Sequence, residues 1–442
     1  MENNNENLKN SNSENSSFFE QKVSSSNGNE DFIPRLNFDK TNRKNWEIIN
    51  FDKLFSFLTN NTLSRKELSE HGEVKNIHYG DILIKYGNCV DVSEDDIPYV
   101  DINAKLTNNI DFLNNGDVII ADTAEDTTAG KAIEIYNIGD AKIVSGLHTF
   151  ACRPNLKFSS KYLGYYMNSS AYHSQLLPIM QGIKVLSISK TNILNTQIMF
   201  PEQKYQNKIA NFLSLIDQRI EKQRQLVESL KKYKRGLLSA IFERKIRFKD
   251  DNGNNYLVWS TYKLDDICLY KNGEAFEQQV NNSGMYKLIS LNSLDIDGNL
   301  KPAEKFVNSA NWYLEENDLI MVLSDVATGE FLGLCDVIPK NNEYVLNQRM
   351  GLLRLKTEDN IKYIRYFINA NQKYFKKHGQ GSSQKNLSKD DILNFEIKIP
   401  SINEQNKIVT IIESINKNIL LNIEKISNLE KYKTGLLQQM FI

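Results

Sequence analysis

From Ile209 to Ile241, apolar residues return at alternating spacings of four and three, through Leu213, Ile216, Ile220, Val227, Leu230 and Leu237. This 3.5-residue recurrence is the seam of a coiled coil and predicts a long amphipathic helix. The pattern returns through Ile408, Ile412, Ile415, Ile419, Ile426, Leu429, Leu436 and Met440. The first seam is polar at Gln223 and Lys234, the second at the matching Asn422 and Lys433. Each helix runs for about 40 residues, roughly 60 Å at 1.5 Å per residue. Pro201 and Pro400 stand just ahead, where a missing amide donor does no harm. A polar seam residue costs stability but penalises misalignment. Gln223 and Asn422 therefore either set the register of the two helices or point to solvent at a local irregularity.

The two seams belong to a larger duplication. Gln206-Asn207-Lys208-Ile209 recurs as Gln405-Asn406-Lys407-Ile408, and Lys232-Tyr233-Lys234-Arg235-Gly236-Leu237-Leu238 as Lys431-Tyr432-Lys433-Thr434-Gly435-Leu436-Leu437, both displaced by 199 residues. Upstream the halves diverge, with Asn115-Gly116-Asp117 answered by Glu316-Asn317-Asp318 at a displacement of 201. Short apolar runs such as Asp117-Val118-Ile119-Ile120, Lys142-Ile143-Val144 and Leu319-Ile320-Met321-Val322-Leu323, bounded by Gly, Asp or Asn, predict strands. The expected architecture is α+β: two mixed α/β domains at residues 32–201 and 250–400, with long helices at 202–249 and 401–442 pairing as a coiled coil in an internal pseudo-twofold repeat. Residues 1–31, dominated by Asn, Ser and Glu, are expected to be a disordered tail.

A chain of 442 residues with 40% hydrophobic content suits two or three domains. Four isolated cysteines argue against a zinc knuckle or a secreted disulfide scaffold, and nothing resembles a leader or a membrane span. The expected location is the cytoplasm. The net charge is −1, so attraction to nucleic acid must come from local patches.

Such patches exist. Leu147 to Lys190 holds five basic and no acidic residues, and the stretch from Leu355 to Lys389 has a net charge of +6. Basic residues interleaved with Tyr162, Tyr165, Tyr166, Tyr363, Tyr366, Tyr374 and Phe375 suit a phosphate-contacting surface or a solvated helical face over an aromatic core, and recurrence at matching positions in two divergent globules favours the first. Each block ends in a polar loop where Gly permits close approach while Ser, Gln and Lys supply donors. The candidate DNA-binding residues are Arg153, Gln181, Lys184, Ser189, Lys190, Gln348, Arg349, Lys377, Ser382, Ser383, Gln384, Lys385, Ser388 and Lys389. The stretch Glu202 to Lys249 is also basic, net +8, and reads as a solvated or partner-facing surface.

Catalytic signatures are missing. Thr127-Thr128-Ala129-Gly130-Lys131 has Glu125 where a phosphate loop needs its first Gly, and Asp295-Ile296-Asp297-Gly298-Asn299 lacks the closing Glu of a calcium loop. Five scattered histidines form no metal-ligand spacing, so no metal and no catalytic residue is expected.

Two variable globules, each followed by a near-identical helix ending Tyr-Lys-x-Gly-Leu-Leu, resemble the specificity subunit of type I restriction-modification enzymes. The resemblance rests on Pro201-Glu202-Gln203 with Gln206 to Ile209, Pro400 with Glu404 to Ile408, the two Lys-Tyr-Lys-x-Gly-Leu-Leu endings and Ile33-Pro34-Arg35-Leu36. Asn347-Gln348-Arg349 and Gly381 to Ser388 look like the family's second recognition domain. It implies that each globule is a target-recognition domain reading half of a bipartite duplex site, and that the helices pair antiparallel as a spacer setting the gap. Two modification subunits and restriction subunits are the implied partners; they use S-adenosylmethionine, ATP and Mg, with no cofactor in this subunit. The first domain departs from the Asn347-Gln348-Arg349 run of the second, showing Leu147-His148-Thr149 at the equivalent position. A coiled-coil scaffold binding proteins without DNA, and an enzyme with an unrecognised nuclease site, are the alternatives.

Overall fold

The structure is a computed structural model that describes Leu36 and residues 46–276, 278–326 and 329–441. The expected tail and Ile33, Pro34 and Arg35 lie outside the described residues. The chain divides into two compact units: one holds residues up to Lys222 together with Lys425–Ile442, the other Gln223–Glu424. Both units are mixed α and β, as the alternation of short apolar runs and helical patterns predicts.

In the first unit a five-stranded sheet runs in the order Phe55–Phe57, Thr149–Pro154, Val118–Ala121, Ala132–Tyr136, Cys89–Asp91. The second unit repeats four of these strands as Cys268–Asn272, Met350–Leu355, Leu319–Val322 and Cys335–Val337. A second sheet accompanies each, built on a parallel pair: Val74–Ile77 beside Lys142–Ser145 in the first unit, Tyr286–Ile289 beside Tyr344–Leu346 in the other. The central strands Val118–Ala121 and Leu319–Val322 are buried at every position, which is why they read as continuous apolar runs rather than alternating ones. The first unit has 14 more residues between Trp46 and Pro201 than the second has between Trp259 and Pro400, and most of them fall between Ile77 and Val118, where the helix Tyr79–Ile84 and the fifth strand, Cys89–Asp91, are inserted.

The two long helices are Gln203–Phe242 and Ile402–Met440. Within the first unit, Ile209, Leu213, Ile216 and Ile220 share a core with Leu436 and Met440, and Lys433 pairs with Asp217 at 2.6 Å. In the second unit, Leu238, Ile241 and Phe242 share a core with Ile408, Val409 and Ile412. The start of each helix thus meets the end of the other, an antiparallel pairing. None of the sixteen predicted seam residues is fully exposed: Leu230, Leu237, Ile415, Ile426, Leu429 and Gln223 are partly covered and the rest are buried.

Gln223 and Asn422 face each other on this seam, with Gln223 Nε2 donating to Asn422 Oδ1. Asn422 Nδ2 donates back to the Asn418 carbonyl at 2.7 Å, so both ends of that side chain are satisfied. A lone Asn422→Leu change leaves the Gln223 amide partly buried without its partner. The expected loss is about 1–2 kcal/mol, recovered when Gln223→Leu is added, because removing both polar partners together is nearly neutral. Urea denaturation of the two single variants and the double variant measures this coupling.

The polar Lys433 also has a physical account. Its ammonium reaches Asn88 Oδ1 at 2.9 Å and lies 5.4 Å from the Tyr165 ring centroid, tying the helix to the globule. Lys234, its counterpart, is pushed below the usual lysine range by burial and by nearby Arg365.

The repeated Gln-Asn-Lys-Ile motif is explained in the same way. Gln206 Nε2 donates to the Pro201 carbonyl at 2.9 Å while its Oε1 accepts from the Ser159 amide at 3.0 Å. Gln405 repeats this on Pro400 and Asn360, at 3.0 and 2.8 Å. Each buried glutamine stitches the first turn of a long helix to the segment preceding the basic helices of its own globule.

Candidate nucleic-acid interface

Three segments converge in each unit, and the same backbone hydrogen bonds fasten them. In the second unit the Asn347 amide donates to the Ile289 carbonyl at 2.9 Å, and the Arg349 carbonyl accepts from the Leu323 amide at 3.0 Å. The Leu323 carbonyl then accepts from Leu387 at 2.8 Å. Leu323 thereby clamps the turn 347–349 beside the loop 380–388. In the first unit Gly146 donates to Ile77 at 2.8 Å, His148 accepts from Asp122 at 3.1 Å, and Asp122 accepts from Ile188 at 2.8 Å. The turn 146–148 therefore stands beside the loop 181–189 in an equivalent frame.

Each loop is closed by a reciprocal backbone pair, Gln181 with Ser187 at 2.9 and 2.8 Å and Gln380 with Asn386 at 3.0 and 2.8 Å. Gly182 has φ +123 and Gly381 φ +117, a region that side chains rarely enter. A Cβ would lie 1.9 Å from the Val185 carbonyl oxygen in the first loop and 2.0 Å from that of Gln384 in the second. Only glycine allows the chain to double back this tightly. Short two-stranded ribbons anchor the loops: Leu186–Ser187 pairs with Thr123–Ala124, and Gln384–Asn386 with Ser324–Val326.

The loop frame gathers most of the candidate residues. Gln181, Lys184, Ser189 and Lys190 lie on the loop or at the start of its following helix in the first unit, and Gln348, Arg349, Lys377, Ser382, Ser383, Gln384, Lys385, Ser388 and Lys389 on the turn, the loop or its flanking helices in the second. Ser189 and Ser388 cap the short helices Lys190–Ile193 and Lys389–Leu393, accepting from the Asn192 and Asp391 amides at 3.1 Å each, so their hydroxyls present the lysines that follow. The Lys190 ammonium lies 5.0 Å from the Phe57 ring centroid. In the second loop, Ser324 Oγ donates to Asn386 Oδ1 at 2.7 Å and Gln384 Nε2 donates to Ser324 Oγ, so the Gln384 amide is held on the ribbon.

Arg153 is not brought to this group. It sits near the far end of the strand Thr149–Pro154, where its Nε and Nη2 bind both oxygens of the buried Asp117 at 3.0 and 2.7 Å. Arg354 makes the same fork on Asp318, at 2.6 and 2.7 Å. The pair is part of the duplicated scaffold.

The aromatic residues of the basic blocks form core. Tyr162, Tyr165, Tyr166, Tyr363, Tyr366 and Phe375 are buried, and Tyr374 partly so. Their hydroxyls are used internally: Tyr165 donates to Asp217 at 2.7 Å and Tyr363 to the Lys398 carbonyl at 2.6 Å. In the second unit Lys362, Lys373, Lys376 and Lys377 face outward over this aromatic interior, whereas in the first Lys161 is half-buried and its Nζ donates to Ser214 Oγ at 3.2 Å. Nearby, Glu134 is almost fully buried, and burial pushes its carboxyl up to about 7 against the pull of the Gly164 and Lys161 amides that it accepts. Gly164 allows this approach, since a Cβ there would lie 2.3 Å from the Asn88 carbonyl oxygen.

Among the described residues no group of His, Cys, Asp or Glu is arranged to hold a metal ion, and no helix is long and apolar enough to cross a membrane.

Comparison with known proteins finds the same duplication. The chain is similar to the type I restriction enzyme MjaVIII specificity subunit of Methanocaldococcus jannaschii, at 22% identity over 348 residues, covering 75% of this chain and 80% of that one. A putative type I restriction enzyme MjaX specificity subunit of the same organism is 21% identical over 431 residues, covering 92% and 96%. A solved structure reported for complex assembly and conformational transition of the type I R-M system shares the fold, with a TM-score of 0.56 at 15% identity, over 89% of this chain and 96% of the other. The family described as type I restriction modification DNA specificity domain matches residues 43–232 and again 257–431. The protein belongs to that family and carries its specificity domain twice in one chain.

Proposed function

We propose that this chain is the DNA-reading subunit of a type I restriction-modification complex, with each unit contacting one half of a bipartite duplex target through its turn and loop frame. The observation that carries this reading is the twofold occurrence of the frame, each copy presenting lysines and amide side chains on a tightly closed glycine loop. Lysines position the protein on phosphates, while amide and guanidinium groups discriminate base edges. In this reading Arg349 and Gln348 serve the second half-site. The chain performs no chemistry; methyl transfer from S-adenosylmethionine and ATP- and Mg-dependent cleavage belong to partner subunits, and methylation is directed to adenine within the target.

The helices bear a surface suited to two copies of one partner. Tyr233 and Tyr432 are 60% and 56% exposed, and a Cβ at Gly236 or Gly435 would meet nothing within 4 Å. The repeated Lys-Tyr-Lys-x-Gly-Leu-Leu thus keeps solvent-facing residues identical where internal packing does not require it. Two modification subunits, one on each copy, are the occupants we assign.

Fluorescence anisotropy of the purified chain on duplexes selected from a random pool tests the DNA assignment. Enrichment of a split sequence, with affinity falling steeply as salt rises, is expected. Binding with no sequence preference would refute it, and cutting or methylation by the chain alone would refute the non-catalytic assignment.

A further inference from the structure

The first unit lacks the Asn-Gln-Arg run, yet its turn stands in the same frame. His148 occupies the place of Arg349: its carbonyl accepts from Asp122 as that of Arg349 accepts from Leu323, and two residues earlier the Gly146 amide is bound to Ile77 as Asn347 is to Ile289. We infer that His148 is a base-contacting residue of the first unit, accepting a hydrogen bond from the exocyclic amine of a cytosine or an adenine in the major groove. This rests on the DNA-reading assignment above.

The side chain is arranged for that task. His148 has φ +54, a left-handed conformation that costs a non-glycine residue stability and tends to persist where function requires it. Its side chain is 48% exposed, while its Nδ1 lies 3.3 Å from Asp122 Oδ1. That carboxylate oxygen also accepts from Thr123 Oγ1 at 2.7 Å, which keeps it in place. Tyr79 packs edge-on against the imidazole at 5.3 Å between centroids and 76° between planes.

In the neutral imidazole, a carboxylate 3.3 Å from Nδ1 favours the tautomer with its proton there. Nε2 is then the acceptor, and among the described residues it has no hydrogen-bond partner. In the major groove the groups that donate to such an acceptor are N4 of cytosine and N6 of adenine. Guanine and thymine offer only acceptors at the corresponding edge, so they are rejected. Arg349, a donor fork, selects the opposite pattern on guanine. The two units are thereby built to read different bases from the same position of one frame. Asp122 is a positioning residue, acting through His148.

The test uses the full chain and duplexes carrying its selected target. Each first-half cytosine or adenine is replaced in turn by the analogue lacking only the amino group, 2-pyrimidinone or purine. One replacement is expected to weaken wild-type binding roughly 2- to 12-fold. The His148→Ala variant binds both versions of that duplex equally weakly and still discriminates throughout the second half-site. Asp122→Asn, which leaves the imidazole present but not oriented, is expected to reduce discrimination at the same single position. The thermal midpoint of each variant reports folding.

Uniform loss on every duplex, or unchanged discrimination in a folded His148→Ala protein, overturns the inference. Arg349→Ala separates the two readings. If it relaxes one second-half position while His148→Ala changes nothing, DNA reading stands and the role of His148 falls. If wild-type protein does not distinguish its selected target from a scrambled duplex, both fall.

Discussion

Replacing Lys377, Lys385 and Lys389 together with glutamine is expected to lower affinity for every duplex by roughly two to three orders of magnitude, and to reduce the slope of log affinity against log salt by about three. The three lysines flank or belong to one loop, with Lys377 and Lys389 exposed on either side of the closed segment 380–386 and Lys385 half-exposed on the ribbon. Each phosphate contact releases counterions, so removing three weakens binding without regard to sequence. Sequence preference in the remaining binding should be unchanged, because lysines on phosphates carry no base information. A salt titration of the triple variant beside the wild type measures both quantities. An unchanged slope would mean that this loop does not meet the backbone of DNA.

The second large effect concerns folding. Gln405→Leu is expected to destabilise the second unit by about 2–5 kcal/mol, because two backbone groups lose their partners in a place water does not reach. Gln405 is fully buried and satisfies both the Pro400 carbonyl and the Asn360 amide, with Asp359 Oδ1 accepting from its Nε2 at 2.7 Å. For a unit of about 200 residues the thermal midpoint should fall by roughly 5–15 °C. Gln206→Leu does the same to the first unit, with a smaller loss because Gln206 has two of the three contacts. Calorimetry of the two variants reads these losses, and a shift below about 2 °C in both would show that the repeated glutamine has some role other than stitching.

These two cases also mark what the sequence makes legible. The long helices and their pairing are visible because a 3.5-residue period is local, and because the repeat offers a second copy in which Ile408 and Leu436 confirm Ile209 and Leu237. The glutamine motif is visible as a repeat but not as a stitch, since Gln206 and Ser159 lie 47 residues apart. The loops around Gly182 and Gly381 are visible as glycine in a polar run. What escapes is pairing at a distance. The positive charge of Arg153 stands out in an acid-free segment, yet Asp117, which takes up its guanidinium, is 36 residues earlier. The tyrosines of the basic helices suit a phosphate-contacting surface as well as an aromatic core until the sheets show which helical face they cover. His148 carries no motif of its own. Its position emerges only when Ile77, Asp122 and Ile188, dispersed over more than a hundred residues, close around the turn. The duplicated Asn115-Gly116-Asp117 and Glu316-Asn317-Asp318 held the one available signal, a displacement of 201 that also carries His148 onto Arg349.

That each unit reads its own half of a split target is tested most directly by domain exchange in cells. Residues 32–200 are replaced with the corresponding first domain of another family member, the partner subunits are supplied, and methylated sites are mapped across the genome. The account predicts a new sequence in one half of the methylated motif with the other half unchanged. A motif altered in both halves, or in neither, would contradict it.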